Sequence, residues 1–463
     1  MSLSEGGVSE LGATGHPLFK HFHRPEIRRI LSNTGWLAAD RFIRLGMGLF
    51  VTSWIARYLG PERFGLLNYA IAFVYLFSIL GALGLDSIVI RSLVREPDAR
   101  DRLLCTTFFV KLTGGSLSFV LSIATLFYLH ADRTTIALIA IIGLGTIVQA
   151  TDVIDYWFQS QVKSKWTVLS KNTAFFAVSV FKIALLTLHA GIVWFGVAAL
   201  LEIVIGATGM IIQLVRMGEA PVVWKPDFKL ALRLLAQSWP LLLSGVSVMV
   251  YMRIDQVMLE RMAGTAAVGL YSAAVRLSEM FYFIPMVIAS SVLPSIIRSR
   301  SLGKEIYLGR LQKYFTLSAV MAVAIALPVS LASGWIARVL YGSQYHGVST
   351  ILTVHVWASV FVFMGIARGQ YLLSEGYTIF LMIAAATGAV VNIILNLFWI
   401  PRYGPFGPAF ATVVGYCVSD LVSSFCYRKT FPIGLMQLKA IFFPFTARWL
   451  LEDWGFWRTK RGA

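Results

Sequence analysis

Long apolar stretches alternate with short polar turns along almost the whole chain. A helix needs about 20 mainly apolar residues to cross a membrane. Breaking the apolar stretches at glycine, proline and clusters of charge predicts twelve such helices. Their approximate bounds are 33–57, 66–90, 104–130, 136–158, 172–189, 192–215, 238–260, 268–295, 315–341, 348–373, 378–400 and 405–427. The pattern therefore predicts an all-α, polytopic membrane protein.

The composition supports this prediction and narrows the possible functions. The 463 residues are 57% apolar and 14% charged, whereas soluble domains are about 45–50% apolar and about 25% charged. Twelve spans and their short loops leave no room for a separate soluble domain of about 100 residues. Most classes of enzyme are thereby excluded, and we expect no catalytic residues.

The distribution of positive charge predicts the orientation. With both termini inside, 27 of the 40 Lys and Arg residues fall in cytoplasmic segments and only 6 in external ones. Because cytoplasmic loops of membrane proteins are enriched in these residues, we expect cytoplasmic termini and an inner (plasma) membrane location. The net charge of +17 is then explained by contact with anionic membrane lipids, and nucleic acid is not expected as a partner.

The chain resembles itself at an offset of 204 residues. This offset aligns Arg57, Gly60, Gly65, Leu66, Ala70 and Phe77 with Arg261, Gly264, Gly269, Leu270, Ala274 and Phe281. Six spans per half make the repeats parallel, and such repeats form two lobes around a central cleft. The predicted parts are a cytoplasmic N-terminal segment (1–32), an N-lobe (33–215), a cytoplasmic linker (216–237), a C-lobe (238–427) and a cytoplasmic or interfacial tail (428–463).

Cysteines and the N-terminus add little chemistry. The three cysteines show neither a disulfide framework nor the spacing of a zinc site, so we expect no metal. The first 32 residues lack the apolar core of a signal peptide. The first span is therefore expected to be an uncleaved anchor.

Several motifs in both halves resemble those of a known family. They are Leu59-Gly-Pro-Glu-Arg-Phe-Gly65 with Gly84-Leu-Asp86, the stretch Arg253-Ile-Asp-Gln-Val-Met-Leu259, the stretch Val268-Gly-Leu-Tyr-Ser-Ala-Ala274 with Pro285 and Pro294, and Asp155-Tyr-Trp-Phe-Gln159. The chain in this respect resembles the Wzx-type polysaccharide flippases of the multidrug/oligosaccharidyl-lipid/polysaccharide exporter superfamily. These are hairpin and packing motifs, so they indicate the fold more firmly than the cargo.

The resemblance implies a cargo and a set of partners. The cargo would be a polyprenyl-diphosphate-linked oligosaccharide, moved across the bacterial inner membrane by alternating access for lipopolysaccharide or exopolysaccharide synthesis. The polysaccharide polymerase machinery would be a further partner, and no cofactor is expected.

Charged residues within the predicted spans are the candidate site residues. A charge exposed to lipid at mid-bilayer costs about 2.5–3.5 kcal/mol, so such residues line water or pair with one another. Four arginines suit a diphosphate because each guanidinium offers a two-pronged donor; they are Arg41, Arg44, Arg253 and Arg276. Three acids are candidates for ion coupling or for pairing with these arginines; they are Asp40, Asp255 and Glu279.

Sequence spacing suggests which of these charges pair. Asp40 lies four residues before Arg44, and Arg276 lies three before Glu279, so both pairs can form within one helix. Arg253 and Asp255 are two apart and face different sides of their helix, so Arg253 needs another partner.

Two other functions remain open. A cation-coupled multidrug exporter of the same superfamily would need an acidic, aromatic cavity, which the four arginines disfavour. An integral-membrane glycosyltransferase would need a large external loop or a cluster of carboxylates, and the loops are short. The sequence holds no G-x-x-x-x-G-K-[ST] motif, which argues against a self-powered ATPase.

Overall fold

The computed structural model describes the backbone of residues 25–220 and 225–443, and their side chains from residue 44 onward except at positions 240, 244, 290, 291, 293 and 294. Within these ranges the regular structure is entirely helical. The α-helices are α1 (Pro25–Ala82), α2 (Asp86–Arg95), α3 (Arg100–Tyr128), α4 (Arg133–Val148), α5 (Val153–Ser160), α6 (Lys165–Thr187), α7 (Ile192–Arg216), α8 (Phe228–Ala263), α9 (Thr265–Glu279), α10 (Phe283–Arg298), α11 (Lys304–Tyr341), α12 (Val348–His355), α13 (Ala358–Ser374), α14 (Thr378–Tyr403), α15 (Gly407–Asp420) and α16 (Phe431–Phe442).

Ten helical stretches of the described chain are long and apolar enough to cross a membrane. Two of them, Arg44–Arg95 and Thr378–Phe425, have 52 and 48 residues, and a single crossing needs only about 20. The chain is therefore a multi-pass membrane protein, as predicted. The number twelve, which takes each long stretch as two crossings, stays a prediction.

The chain divides into two compact units. The described part of the first unit, Met1–Phe50, is the beginning of α1. The second unit, Val51–Ala463, contains every contact discussed below. Most of the predicted N-lobe and all of the predicted C-lobe belong to this second unit, and the division into lobes remains a prediction.

Two glycines give the first helix of each predicted half the same sharp bend. Gly60 has φ 70° and ψ 171° within α1, and Gly264 has φ 84° and ψ 170° between α8 and α9. Other residues rarely adopt a positive φ, which explains glycine at both positions. The two glycines are 204 residues apart, so the backbone repeats at the offset found in the sequence.

In the part of the chain that the structure describes, four spans are interrupted, and the interruptions come in the same order in both predicted halves. The first half has breaks between α1 and α2 and between α4 and α5, and the second half has breaks between α9 and α10 and between α12 and α13. Irregular backbone at membrane depth is tolerated only inside protein or beside water. Broken helices also build the binding sites of many transporters, so these breaks show where to look for a site.

The segments between and after the lobes are held by polar contacts. The Asp227 carboxylate accepts a hydrogen bond from the Leu230 backbone and so caps α8, which begins inside the predicted linker. In the predicted tail, Gln437 of α16 donates to the Asp420 carbonyl at 2.7 Å and is fully buried. The N-terminal segment up to residue 24, linker residues 221–224 and tail residues 444–463 lie outside the described residues.

Candidate functional site

Arg253 of α8 lies between the two predicted halves. Its Nη1 atom is 3.5 Å from Oε2 of Glu279 on α9. Its guanidinium carbon lies 5.7 Å from the ring centroid of Tyr75 on α1. The Arg253 and Glu279 side chains are 25% and 21% exposed, so they face accessible space within the protein. The partner of Glu279 is thus Arg253, which corrects the expected pairing with Arg276 three residues away.

Arg276 faces an accessible space although its chain neighbours do not. Val275 and Leu277 are buried, while Arg276 is exposed. The groups near enough to act electrostatically on Arg276 include Tyr341, Arg253, Glu279 and Glu202 of α7. An exposed arginine among charges from both predicted halves fits the predicted cleft between them.

The side of this cleft in the first half carries an ion pair that sequence reasoning missed. Lys182 Nζ of α6 lies 3.0 Å from Oε2 of Glu202. The two side chains are 21% and 31% exposed. The position of Lys182 near a span end suggests a side chain that reaches the membrane surface, and only the three-dimensional arrangement shows its acid on the next helix.

These side chains form one group, which we call the charged cleft: Lys182, Glu202, Arg253, Arg276 and Glu279. Three cations and two acids leave a net positive charge, and each acid already holds one cation. The break between α9 and α10 begins directly after Glu279. The cleft therefore combines cationic side chains with a broken helix, and broken helices form the substrate sites of many transporters.

Asp255 lies on the other side of α8, away from the charged cleft. Its carboxylate is buried and accepts hydrogen bonds of 2.6 Å from the Tyr271 hydroxyl, the Thr412 hydroxyl and the Asn396 side-chain amide. The expected opposite orientation of Arg253 and Asp255 is thereby confirmed. Asn392 also touches this group through Asn396. A buried carboxylate held by neutral donors is a candidate for structural packing or for ion coupling.

The remaining candidates of the first span give less information. The side chains of Arg41 and Asp40 lie outside the described residues. Arg44 is half-buried and belongs to the first unit. The roles of these three residues stay predictions.

Other basic side chains within spans have packing partners outside the charged cleft. Lys111 is buried and donates to the Tyr156 hydroxyl at 3.0 Å. Arg368 is fully buried and donates to the Ser419 carbonyl at 3.0 Å and to the Ser423 hydroxyl at 2.8 Å. Such contacts explain how these cations are accommodated without a ligand. Within the described residues, no group of three or more His, Cys, Asp or Glu could hold a metal ion.

Comparison with known proteins assigns the chain to a family. The family model described as polysaccharide biosynthesis protein matches residues 30–300. The chain belongs to this family. The MatE family model matches residues 240–398, in the second half. The probable flippase AglR of Haloferax volcanii is 27% identical over 196 residues, and this alignment spans only 39% of either protein.

Two solved structures share the fold. One is a multidrug resistance MATE family transporter of the MOP superfamily in an inward-facing conformation, with a TM-score of 0.68 at 15% identity over 86% of this chain and 95% of that one. The other is the lipid II flippase MurJ in an inward closed conformation, with a TM-score of 0.66 at 18% identity over 91% and 94%. The structural similarity to both proteins shows that this chain has the MATE-like transporter fold.

Proposed function

We propose that this protein is a flippase for a polyprenyl-diphosphate-linked oligosaccharide, which it moves from the cytoplasmic to the outer leaflet of the bacterial inner membrane. The observation that carries the proposal is the charged cleft, where three cations face accessible space between the predicted halves. The family, the flippase named AglR and the shared fold of a lipid II flippase support it. It is a transport function without covalent chemistry.

The charged cleft suits the diphosphate of such a cargo. Arginine offers parallel N–H donors that match phosphate oxygens, so Arg253 and Arg276 would bind the diphosphate from the second half. Lys182 would approach it from the first half. In the empty cleft, Glu279 pairs with Arg253 and Glu202 pairs with Lys182. An incoming diphosphate would replace both acids as the anionic partner and would also offer its charge to Arg276, which neither acid holds.

The membrane potential would supply the driving force. An inside-negative potential contributes about 2.3 kcal/mol per charge per 100 mV, which favours outward movement of an anion. The glycan would pass through the water-accessible cleft while the polyprenyl tail stays in lipid. The released cargo would then serve the polysaccharide polymerase machinery on the outer side. Asp40, Asp255 and Glu279 are the acids at which coupling to an ion would occur.

A translocation assay in vesicles tests the proposal. Purified protein is reconstituted with a short-chain polyprenyl-diphosphate oligosaccharide, and movement per protein molecule is measured. Arg253→Ala and Arg276→Ala should reduce it at least tenfold, and the Arg→Lys variants should retain an intermediate rate because charge remains but the fork is lost. Arg63→Ala removes an exposed arginine outside the cleft and is the control. Full activity in both alanine variants would reject the cationic cleft.

Export of cationic drugs is the second candidate, and the MatE match over residues 240–398 favours it. The same vesicles can be loaded with a cationic dye under a sodium or proton gradient. A drug exporter would move the dye and leave the lipid-linked oligosaccharide in place. The three cations of the cleft lead us to expect the opposite result.

A further inference from the structure

The end of the molecule that is predicted to face outside carries a reciprocal contact between the two halves. Helix α11 ends at Tyr341, and the last carbonyls of a helix have no partner within it. Arg57 of α1 supplies donors to two of them. Its Nε atom donates to the Leu340 carbonyl at 2.9 Å, and its Nη2 atom donates to the Val339 carbonyl.

A residue of the second half in turn donates a hydrogen bond to a backbone carbonyl of α1. The bend at Gly60 interrupts α1 directly after the turn that contains Ala56. Tyr345, in the turn after α11, donates its hydroxyl to the Ala56 carbonyl in that turn at 2.8 Å. The Tyr345 side chain is only 3% exposed, and its ring meets Phe64 edge to face at 6.3 Å. Each half thus donates hydrogen bonds to backbone carbonyls of the other.

The corresponding arginine of the second half does not repeat this arrangement. Arg261, at the offset of 204 residues from Arg57, interacts with the hydroxyl of Tyr69 and lies 3.6 Å from Glu260. The contact between Arg57 and Tyr345 is therefore a specific feature of one side of the interface, not a consequence of the repeat.

We propose that Arg57 and Tyr345 form a latch that holds the outer face closed and sets how often it opens. Separation of the halves at this end removes the cross-links to the carbonyls of Val339, Leu340 and Ala56 together. The Tyr345 bond is shielded from water in the closed state and exchanged for water in the open one. The latch needs no cargo, so its test is independent of the proposed function. The assignment of this end to the outer side of the membrane rests on the predicted orientation.

Distances between spin labels test the latch. The labels are placed at Arg133→Cys in the first half and Ser343→Cys in the second, both exposed at this end, after the three natural cysteines are replaced. Pulsed electron resonance in lipid nanodiscs gives the ratio of long to short distances. Tyr345→Phe, which removes one hydroxyl, should raise that ratio about two- to tenfold, the effect of one hydrogen bond, and Arg57→Met should raise it as well.

Matched controls at the same end separate the latch from general effects. Tyr403→Phe and Arg402→Met change an exposed tyrosine and an exposed arginine and should leave the distances unchanged. Should Arg57→Met fail to fold, Tyr345→Phe decides alone, because it preserves the buried ring. Distance distributions of the folded latch variants that coincide with the parent distribution would overturn the proposal, and so would equal shifts in the controls.

Discussion

Gly65 of α1 and Gly269 of α9 lie in direct backbone contact, although 204 residues separate them in the sequence. A methyl group on Gly65 would come within 2.7 Å of the Gly269 nitrogen, and one on Gly269 would come within 2.8 Å of the Pro61 carbonyl carbon. Each glycine thus leaves room for the backbone of the other half. The reciprocity supports the predicted pair of parallel repeats.

Alanine at either glycine should weaken this contact. The obstructing atoms belong to backbone and cannot rotate away, so Gly65→Ala or Gly269→Ala should cost about 1–3 kcal/mol in the closed conformation. Gly334→Ala in α11 is the control because a methyl group there meets nothing within 4 Å. Thermal unfolding in detergent measures the effect. Equal melting temperatures for all three variants would contradict the close contact.

The orientation can be measured with introduced cysteines. Glu62 and Ala266 are both exposed and are 204 residues apart, and Lys229 is exposed in the predicted cytoplasmic linker. In a cysteine-free background, Glu62→Cys and Ala266→Cys should react with an impermeant thiol reagent in intact cells. Lys229→Cys should react only after the membrane is opened. Labelling at one of the first two positions but not the other would contradict parallel repeats.

The Asp255 cluster allows packing and ion coupling to be separated. Asp255→Leu leaves Tyr271, Thr412 and Asn396 without their acceptor and should destabilise the protein by about 2–4 kcal/mol. Asp255→Asn keeps the shape and removes the charge. If Asp255 couples an ion, the asparagine variant should fold but should translocate cargo independently of an imposed sodium or proton gradient. Unchanged gradient dependence, with exposed Asp98→Asn as control, would restrict Asp255 to packing.

The linker between the halves should respond to acid. Partial burial raises the pKa of Glu219, but hydrogen bonds from Lys163 and Trp157 and the charges of Lys163 and Arg100 outweigh burial and hold the pKa below its usual range. The lowered pKa means that the ionised carboxylate stabilises the fold above the unfolded pKa of about 4.3. This contribution is lost as the pH falls through the folded pKa.

Protection of the linker from a protease should depend on the stabilisation that the ionised Glu219 carboxylate provides. The Lys163 and Glu219 side chains are 36% and 21% exposed, so we expect no more than about 1 kcal/mol. Wild-type protein should protect the linker at neutral pH and lose part of that protection below about pH 4.3. Glu219→Gln should show the weaker protection already at pH 7, with a flatter acid profile. Identical profiles for both proteins would show that the ion pair contributes nothing.

Hydropathy was enough to predict a helical, multi-pass membrane protein, because a span requires an apolar run of fixed length. It could not locate the breaks. Met280, Phe281 and Tyr282 separate α9 from α10, and Pro285 favours this interruption because it has no backbone N–H to donate to the Phe281 carbonyl four residues before it. The bends at Gly60 and Gly264 could have been predicted from the sequence, since both glycines belong to the repeated motif.

The candidate site was predictable in its residue types and less so in its pairs. Burial cost alone indicates that arginines within spans have partners or water; Arg253 is paired with Glu279, and Arg276 is exposed. The partner of Arg253 is 26 residues away on another helix, which no local spacing reveals. Lys182 and Glu202 pair between neighbouring helices, and only their common depth in the membrane could have suggested it.

The two side chains that flank Arg253 occupy corresponding places in the two halves. Tyr75 and Glu279 are 204 residues apart, whereas the counterpart of Arg253 itself is Leu49. The predicted repeat thus gives Tyr75 and Glu279 corresponding places but gives Arg253 no charged counterpart. A change in the bend or in the glycine contact must therefore be matched in both halves to be tolerated. The residues that select the cargo, such as Arg253, have no such matching requirement. Related transporters can therefore acquire new cargoes through substitutions in one half while the bends and the glycine contact stay unchanged.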